Sequence, residues 1–280
     1  MKVKQKIPPD NLSRIRNSLK ILRLNEIARV LDDELARAAQ DSSPPTDLLE
    51  RLLTLEANAL IQRRIERRIK ESKLPDRKLL TDFDFTFQKG VDKTQIMELA
   101  KLDFVGRKQG VIIAGNSGTG KSHLAKALML LACQSLHRCR YTTAAAMLSD
   151  LLAGLADDSL ELKLKAYTRP RILLIDELGF DRLEQESARN ASLFFKVIDA
   201  RYGKNSTWLT TNIDFKALGD YLGDPVVTTA IVDRMVHHAI IINIEGPSWR
   251  LHESKKLNHT PIRNKTKKPK RGEQNHEKTR

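Results

Sequence analysis

The sequence is poor in cysteine and has no long apolar run, and both absences narrow the class of protein. Its two cysteines, Cys133 and Cys139, show neither the spacing of a zinc site nor the number of a disulfide framework, so we expect free thiols in a reducing compartment. No stretch approaches the roughly 18 uninterrupted apolar residues of a membrane-spanning helix. Residues 1–10 are basic but have no apolar core, so we expect no secretory signal there. The sequence therefore predicts a cytoplasmic protein without a membrane partner.

The most informative segment is residues 111–122, VIIAGNSGTGKS, in which an apolar strand leads directly into a glycine-rich loop. Gly115, Gly120, Lys121 and Ser122 fill the pattern G-x-x-x-x-G-K-[ST] of phosphate-binding loops. Glycine lets the backbone turn its N–H groups toward phosphate, and the helix that follows adds the positive end of its dipole. Lys121 is predicted to reach the β- and γ-phosphates, and the Ser122 hydroxyl to hold Mg²⁺. A chance glycine-rich turn is the alternative, and it rarely falls between a clean strand and a helical run.

A second apolar strand, residues 172–177 with the sequence ILLIDE, ends in two carboxylates. An unbroken apolar run suits a parallel strand that is buried on both faces, and open α/β sheets bind ligands at the carboxyl ends of such strands. Asp176 is predicted to bind Mg²⁺ and Glu177 to polarise the water that attacks the γ-phosphate. An ordinary strand end with acidic turn residues is the alternative.

A third strand, residues 207–211, ends at Asn212. An amide at a strand end beside Asp176 could orient the attacking water between the γ-phosphate and Glu177. Asparagine is also common before loops because it tolerates turn geometry, so both interpretations stay open here.

The positive charge is concentrated at the two ends of the chain. The formal net charge is +6 over residues 1–80, +1 over residues 81–250 and +7 over residues 251–280. Such flanks suit contact with the phosphate backbone of nucleic acid, which depends little on base sequence. A solvated basic tail without a partner is the alternative for the C-terminal segment. We expect the lysine-rich tail after Lys255 to be disordered.

The N-terminal flank is predicted to be helical, with a first helix over residues 11–39 and a second over 48–73, capped by Thr46 and Asp47. Ile65 and Ile69 keep one stripe of the second helix apolar, and five leucine and alanine positions near its start are expected to be buried: Leu49, Leu52, Leu53, Leu55 and Ala59. Its other faces are basic and are predicted to lie along DNA through Arg63, Arg64, Arg67, Arg68 and Lys70. The alternative is a solvated face with ion pairs to Glu66 and Glu71.

Arg234 lies in the segment AIVDRMVHHA, residues 230–239, just before another apolar strand. Ring-forming ATPases insert an arginine of one subunit into the nucleotide site of the next, where its fixed charge stabilises the transition state. A local pair with Asp233 or a role in helix capping is an equal alternative on spacing alone.

Taken in order, these segments resemble the IstB family, the ATP-binding helper proteins of bacterial insertion sequences, and more distantly the DnaC/DnaA group of AAA+ ATPases. The resemblance rests on the segments GNSGTGKSHLA, LLIDELG, DARYGKNSTWLTTN, IVDRMVHHA and GPSWR, and it covers roughly residues 15–252. It implies an α/β AAA+ core with a five-stranded parallel sheet (residues 81–254), a small helical N-terminal domain (residues 1–80) and a basic tail (residues 255–280). It also implies ATP and Mg²⁺ as cofactors, ATP-driven homo-oligomers on duplex DNA, and a partner transposase from the same bacterial element.

The resemblance also assigns roles to residues. The nucleotide contacts are Gly115, Asn116, Ser117, Gly118, Thr119, Gly120, Lys121, Ser122, His123 and Asp176. Asp176 and Glu177 form the Walker B pair, Asn212 is the first sensor, and Arg234 acts on the neighbouring subunit. Arg250 is left open between phosphate sensing and DNA binding.

Three other functions share parts of this pattern. A helicase loader of the DnaC type has the same core with a helicase as its partner. A DNA-binding scaffold that scarcely hydrolyses ATP would not need Glu177. A small-molecule kinase would use the phosphate-binding loop but would have no use for Asn212 and Arg234.

Overall fold

The computed structural model of the chain describes residues 10–180, 188–213 and 224–258. The predicted basic tail lies outside the described residues from 259 onward. Its first residues, 255–258, belong to a helix, Trp249–Asn258, so the expected disorder does not begin at residue 255. No helix within these ranges is long and apolar enough to traverse a bilayer.

A parallel sheet of five strands forms the centre of the described structure. The strands are β1 (Gly110–Gly115), β2 (Cys139–Thr143), β3 (Ile172–Leu178), β4 (Ser206–Thr211) and β5 (Ala239–Ile244), in the order β2-β3-β4-β1-β5. Ile112 of β1 pairs with Leu209 on one side and Ile241 on the other. The strands run in one direction, so the loops after β1, β3 and β4 meet at one edge of the sheet. The predicted five-stranded parallel sheet is confirmed.

Helices pack on both faces of this sheet. They are α4 (Lys93–Leu99), α5 (Asp103–Gly106), α6 (Lys121–Gln134), α7 (Ala144–Ala156), α8 (Leu160–Thr168), α9 (Ala188–Arg201), α10 (Pro225–Val236) and α11 (Trp249–Asn258). Successive side chains of β1 lie on opposite faces of the sheet. Ile113 packs with Leu128 of α6 on one face, and Ile112 packs with Phe194 of α9 on the other. Burial on both faces explains why the strands read as continuous apolar runs.

Three further helices form the N-terminal part of the described chain: α1 (Asn11–Leu22), α2 (Asn25–Gln40) and α3 (Pro45–Ser72). The single helix predicted over residues 11–39 is wrong, because Arg23 adopts a left-handed conformation (φ 58°) and ends α1. Its N–H bonds to Lys20 O, and the N–H of Leu24 bonds to Leu19 O. The predicted cap of α3 is also wrong, since the helix starts at Pro45 with no side-chain cap. Proline suits this first position, where its missing N–H needs no partner.

The predicted burial at the start of α3 is largely wrong. Leu52 is buried, whereas Leu49 and Leu53 are each 57% exposed and Leu55 is 41% exposed. The first half of α3 packs on α1 and α2 through one narrow face, in a small cluster that includes Leu19, Ile27, Leu31 and Leu52. A small helical unit cannot cover every leucine of a helix that is apolar on several sides.

The second half of α3 packs on the sheet layer. Ile69 is buried in the same cluster as Leu128 and Cys133 of α6, and Ile65 packs against that cluster. The predicted apolar stripe of this half therefore has a partner, and α3 joins the N-terminal helices directly to the sheet layer.

A buried carboxylate of α3 caps α2. Glu56 is 6% exposed, and its Oε2 accepts hydrogen bonds from the N–H groups of Glu26 (2.7 Å) and Ile27 (3.2 Å). Arg63 donates to its Oε1 at 2.8 Å. Burial alone would raise the pKa of Glu56, but these hydrogen bonds and the Arg63 charge hold it below its ordinary value. The carboxylate supplies the cap that Leu24, the residue before α2, does not have.

We expect Glu56→Ala to lower the free energy of unfolding by about 1–2 kcal/mol, because two N–H groups and Arg63 lose a buried partner. Glu50→Ala, on the exposed surface of α3, is the matched control and should change little. Urea denaturation at pH 7 measures both. Because the folded pKa of Glu56 is lowered, its contribution should be lost as pH falls below about 4.3. Equal effects of the two substitutions at pH 7 would contradict the capping role.

Candidate nucleotide-binding site

The loop between β1 and α6 has the conformation that the glycine pattern predicts. Gly118 (φ +80°) and Gly120 (φ +95°) are both in the left-handed region. A Cβ on Gly120 would lie 2.6 Å from the ring of Phe83, and a Cβ on Gly118 would lie 2.1 Å from the Ser248 hydroxyl. Glycine is therefore required at both positions for conformation and for space.

Lys121, the first residue of α6, is buried with its ammonium group inside the loop. Its Nζ donates to the carbonyl oxygens of Gly115 and Asn116, both at 2.8 Å. Burial lowers the pKa of Lys121, and the nearby Asp176 opposes this shift. The ammonium group of Lys121 thus lies within the loop, and Lys121 lines the cavity that opens over it.

Asp176, near the end of β3, is fully buried and is held by three hydroxyl groups. Ser122 donates to its Oδ1 at 2.8 Å and Tyr141 to its Oδ2 at 3.1 Å. Thr210 of β4 also donates to Oδ1. Burial, followed by the charge of Asp176, raises the pKa of Tyr141, so the phenol stays protonated and remains a donor. The two predicted Mg²⁺ ligands, Ser122 and Asp176, are thus in direct contact.

Glu177 has a different environment from Asp176. It is exposed, lines the cavity and has a positive φ of 63°. Its N–H donates to the hydroxyl of Thr210 at 2.9 Å, and the pairing of β3 with β4 shifts register between Ile175 and Leu178. A glutamate rarely adopts this conformation, and such local strain is concentrated at functional sites. The register shift leaves the Asp176 carboxylate buried and the Glu177 carboxylate exposed to the cavity.

Asn212 directly follows β4 and is exposed beside the end of β3. Its Oδ1 lies 2.6 Å from the position that a Cβ on Gly179 would occupy. The missing side chain of Gly179 (φ +100°) therefore lets the amide approach the chain just after Glu177. The two strand-end groups predicted to act together lie on neighbouring strands.

A cavity of about 630 Å³ opens over the loop. Its lining includes Ser117, Gly118, Thr119, Gly120, Lys121, Ser122, His123, Lys126, Glu177 and Arg250, together with residues from the segment 76–88. No role was assigned to this segment from the sequence; it joins α3 to the sheet layer and is called the linker below. Phe87 packs edge-on against Trp249 at 4.9 Å, and buried Gln88 donates to Thr119 O at 2.9 Å. The aromatics of the linker were the available signal for this wall.

Arg250 and His123 also lie at this cavity. The helix α11 begins against the loop, where the N–H of Trp249 donates to Gly118 O at 2.9 Å. The charge of Arg250 contributes to the lowered pKa of Lys121, which places it near the predicted phosphate site. A ring nitrogen of His123 contacts Leu79 O at 2.9 Å, so this side chain also joins α6 to the linker.

Arg234, on α10, lies at the opposite end of the sheet. It shares a small cavity with Gly110 and Thr207, which belong to the starts of β1 and β4. Its Nε donates to Asp199 at 2.8 Å, and its guanidinium lies 4.8 Å from the Phe195 ring. A local ion pair is thus formed with Asp199 rather than with Asp233. Arg234 does not reach the phosphate-binding loop of its own chain.

The basic face of α3 is partly neutralised by carboxylates. Arg63 pairs with Glu56 at 2.8 Å, and Glu71 lies 3.0 Å from Arg68 and 3.9 Å from Arg67. In the described part of the chain, no carboxylate lies within 4 Å of the other two cations in the predicted set, Arg64 and Lys70. Of the two carboxylates expected to form ion pairs within the helix, Glu71 does so, whereas Glu66 pairs with Arg77 outside α3 at 2.5 Å.

Comparisons with known proteins identify a family and several relatives. The family model described as "IstB-like ATP binding protein" matches residues 17–257. An ATP-binding protein of insertion sequence IS21 from Pseudomonas aeruginosa is 37% identical over 246 residues, which are 86% of this chain and 92% of the relative. The corresponding protein of IS5376 from Geobacillus stearothermophilus is 38% identical over 75% of this chain and 82% of the relative.

Solved structures show the same fold. A crystal structure of DnaI covers 60% of this chain and 92% of its own, with a TM-score of 0.52 and 22% identity. A DNA replication initiation factor covers 68% of this chain and 57% of its own, with a TM-score of 0.50 and 19% identity. At these identities the likeness concerns the fold alone, an α/β fold with a parallel sheet as predicted from the sequence.

We expect Gly120→Ala to lower the free energy of unfolding by about 1–3 kcal/mol and to weaken nucleotide binding, because alanine is strained at φ +95° and its Cβ would meet Phe83. Gly106→Ala is the matched control, because a Cβ there has no neighbour within 4 Å. Urea denaturation and titration with a fluorescent ATP analogue measure the two effects. Wild-type affinity and stability in Gly120→Ala would show that the loop conformation is not required.

Proposed function

We propose a function for this chain, which belongs to the family of IstB-like ATP-binding proteins of insertion sequences. It is an Mg²⁺-dependent ATPase that assembles on duplex DNA. Its assembly would control a partner transposase encoded by the same element. The observation that carries the proposal is the contact between Ser122 of the phosphate-binding loop and the buried carboxylate of Asp176. This contact unites the two motifs that ATP hydrolysis requires in P-loop enzymes.

The chemistry of the residues fits Mg²⁺. Ser122 and Asp176 offer oxygen atoms, which Mg²⁺ prefers, and one or two protein oxygens beside phosphates are its usual ligand set. The ion would supply charge neutralisation between the β- and γ-phosphates. Lys121 would exchange its bonds to the loop carbonyls for phosphate oxygens. Tyr141 and Thr210 keep the carboxylate of Asp176 in one orientation throughout.

Glu177 and Asn212 are the proposed groups for hydrolysis. The exposed carboxylate of Glu177 lines the cavity, where it would accept a proton from the attacking water or polarise that water. The amide of Asn212, on the neighbouring strand, would orient the same water. Arg250, which lines the same cavity, would sense the phosphate.

Arg234 is proposed to complete the nucleotide site of a neighbouring subunit. Its position near the start of β1 supports this role, because the phosphate-binding loop lies at the other end of that strand. Asp199 and Phe195 hold the guanidinium in place. In this arrangement, bound ATP would favour docking of neighbours and thus a ring or spiral of subunits.

Duplex DNA is the proposed ligand of the assembly. The net charge of +6 over residues 1–80 and the cations of α3 support contact with the phosphate backbone. Residues 1–80 would serve DNA and partner binding, and residues 81–254 the ATPase cycle. Loss of the γ-phosphate would release subunits and DNA together.

Two variants separate assembly from release. Lys121→Ala should abolish ATP-dependent assembly on DNA, because phosphate binding is lost. Glu177→Gln should assemble with ATP, hydrolyse it at least about 100-fold more slowly, and fail to disassemble, because a general base contributes roughly 10²–10⁴-fold. Light scattering with phosphate release measures both. Normal hydrolysis by Glu177→Gln would show that another group activates the water.

A mixing experiment tests Arg234. Arg234→Ala keeps its own nucleotide site, and Lys121→Ala keeps its Arg234, so each alone should be inactive. If the arginine acts on a neighbour, mixing the two should restore measurable ATPase activity at sites between unlike subunits. Mixing Lys121→Ala with Glu177→Gln is the control, because every site in that mixture lacks one essential group. Absence of complementation by a co-assembled mixture would assign Arg234 to a local role with Asp199.

Pull-down with a transposase and with a replicative helicase distinguishes the proposed partner from that of a DnaC-like loader. Capture of the helicase alone would favour the loader.

A further inference from the structure

A second cleft, of about 570 Å³, lies away from the nucleotide cavity along β2. In the order of the sheet β2 is an edge strand, and the end of α3 and the helix α8 flank the cleft. Its charged lining consists of five cations and one carboxylate: Arg68, Arg138, Arg140, Lys165, Arg169 and Glu71. The cations come from three separate segments of the chain, so no sequence motif brings them together.

The charge of this cleft is largely not neutralised by the protein. Glu71 pairs with Arg68 at 3.0 Å, and Glu161 lies 4.0 Å from Lys165. Over the described ranges, no carboxylate lies within 4 Å of Arg138, Arg140 or Arg169. The Arg140 guanidinium stacks 5.4 Å from the Tyr167 ring, and its buried Nε has no hydrogen-bond partner.

Charges on an edge strand often serve only to prevent pairing with another sheet. Two arginines, Arg138 and Arg140, would suffice for that purpose. The added cations, Lys165 of α8 and Arg169 at its C-cap, do not protect the strand edge. They collect positive charge in a concave surface, which favours an anionic ligand.

We propose that this cleft binds the phosphate backbone of duplex DNA. The exposed guanidinium groups of Arg138 and Arg169 would be the principal phosphate contacts, and Arg140 would add charge from below. Arg68 continues the cleft onto the basic face of α3, so one DNA strand would contact both. The identity of the ligand rests on the proposed function, whereas the principal contacts, Arg138 and Arg169, lie on the ATPase core, outside the N-terminal helices expected to hold DNA.

The test compares Arg138→Ala/Arg169→Ala with Lys101→Ala/Lys196→Ala, a control with the same loss of charge at exposed positions outside the cleft and outside residues 1–80. Binding to a random-sequence duplex is measured over a range of salt, with a saturating non-hydrolysable ATP analogue in the phosphate-binding loop. Each phosphate contact contributes about 0.9 to the salt slope, so the cleft variant should lose about 1.8 per protomer. Its affinity should fall on the order of tenfold at moderate salt, and the control should match wild type.

A charge-preserving variant guards against a structural explanation. Arg138→Lys/Arg169→Lys should keep most of the affinity and the salt slope, because lysine also contacts phosphate as a point charge. If the lysine variant is as defective as the alanine variant while both bind the ATP analogue normally, the cleft does not act through phosphate contacts.

The remaining outcomes are distinct. Wild-type binding to duplex with an unchanged cleft variant would overturn the cleft proposal and leave the proposed function intact. No duplex binding by wild type would overturn both. Inorganic pyrophosphate is the second probe, used with the ATP analogue saturating the phosphate-binding loop. If it binds wild type but not the alanine variant at micromolar concentration, and the alanine variant keeps its DNA affinity, the cleft holds a small phosphate ligand instead of DNA.

Discussion

The buried carboxylate of Asp176 is the constraint on which the rest of the nucleotide site depends. A fully buried carboxylate is costly unless it is paired, and here hydroxyl groups of α6, β2 and β4 donate to it. Each donor belongs to a different element, so the hydrogen bonds fix the positions of α6, β2 and β4 relative to Asp176. The Lys126 cation lies 4.0 Å from Asp176 and 3.5 Å from Asp76 of the linker, which brings the N-terminal segment into the same network.

The linker gives the nucleotide site a direct connection to α3. Residues of the segment 76–88 line the cavity, and Gln88 bonds to the loop through Thr119. The same segment follows α3, whose second half packs on α6. A conformational change in the cavity would therefore shift α3, the helix that carries the cations proposed to contact DNA. The linker and the packing of α3 on α6 would thus couple nucleotide binding to DNA binding in the proposed switch.

The sequence predicts local patterns well here and long-range contacts poorly. The strand, glycine loop and helix around Lys121 are contiguous, and the apolar run before Asp176 identifies a buried strand by itself. Tyr141, Thr210 and Gln88 escaped prediction because each acts through a partner more than 30 residues away. The exposed Leu49 and Leu53 were wrongly placed, because periodicity does not say how much surface a small helical unit can cover. The capping role of Glu56 was missed because its N–H partners, Glu26 and Ile27, lie far away in the sequence, on another helix.

The central claim is that ATP controls assembly on DNA, and sedimentation of the wild-type protein with duplex DNA tests it most directly. The size distribution is compared with ADP and with a non-hydrolysable ATP analogue at the same protein concentration. The account predicts large, discrete protein–DNA complexes with the analogue and small species with ADP. Complexes of the same size with both nucleotides, or no complexes with duplex at all, would contradict it.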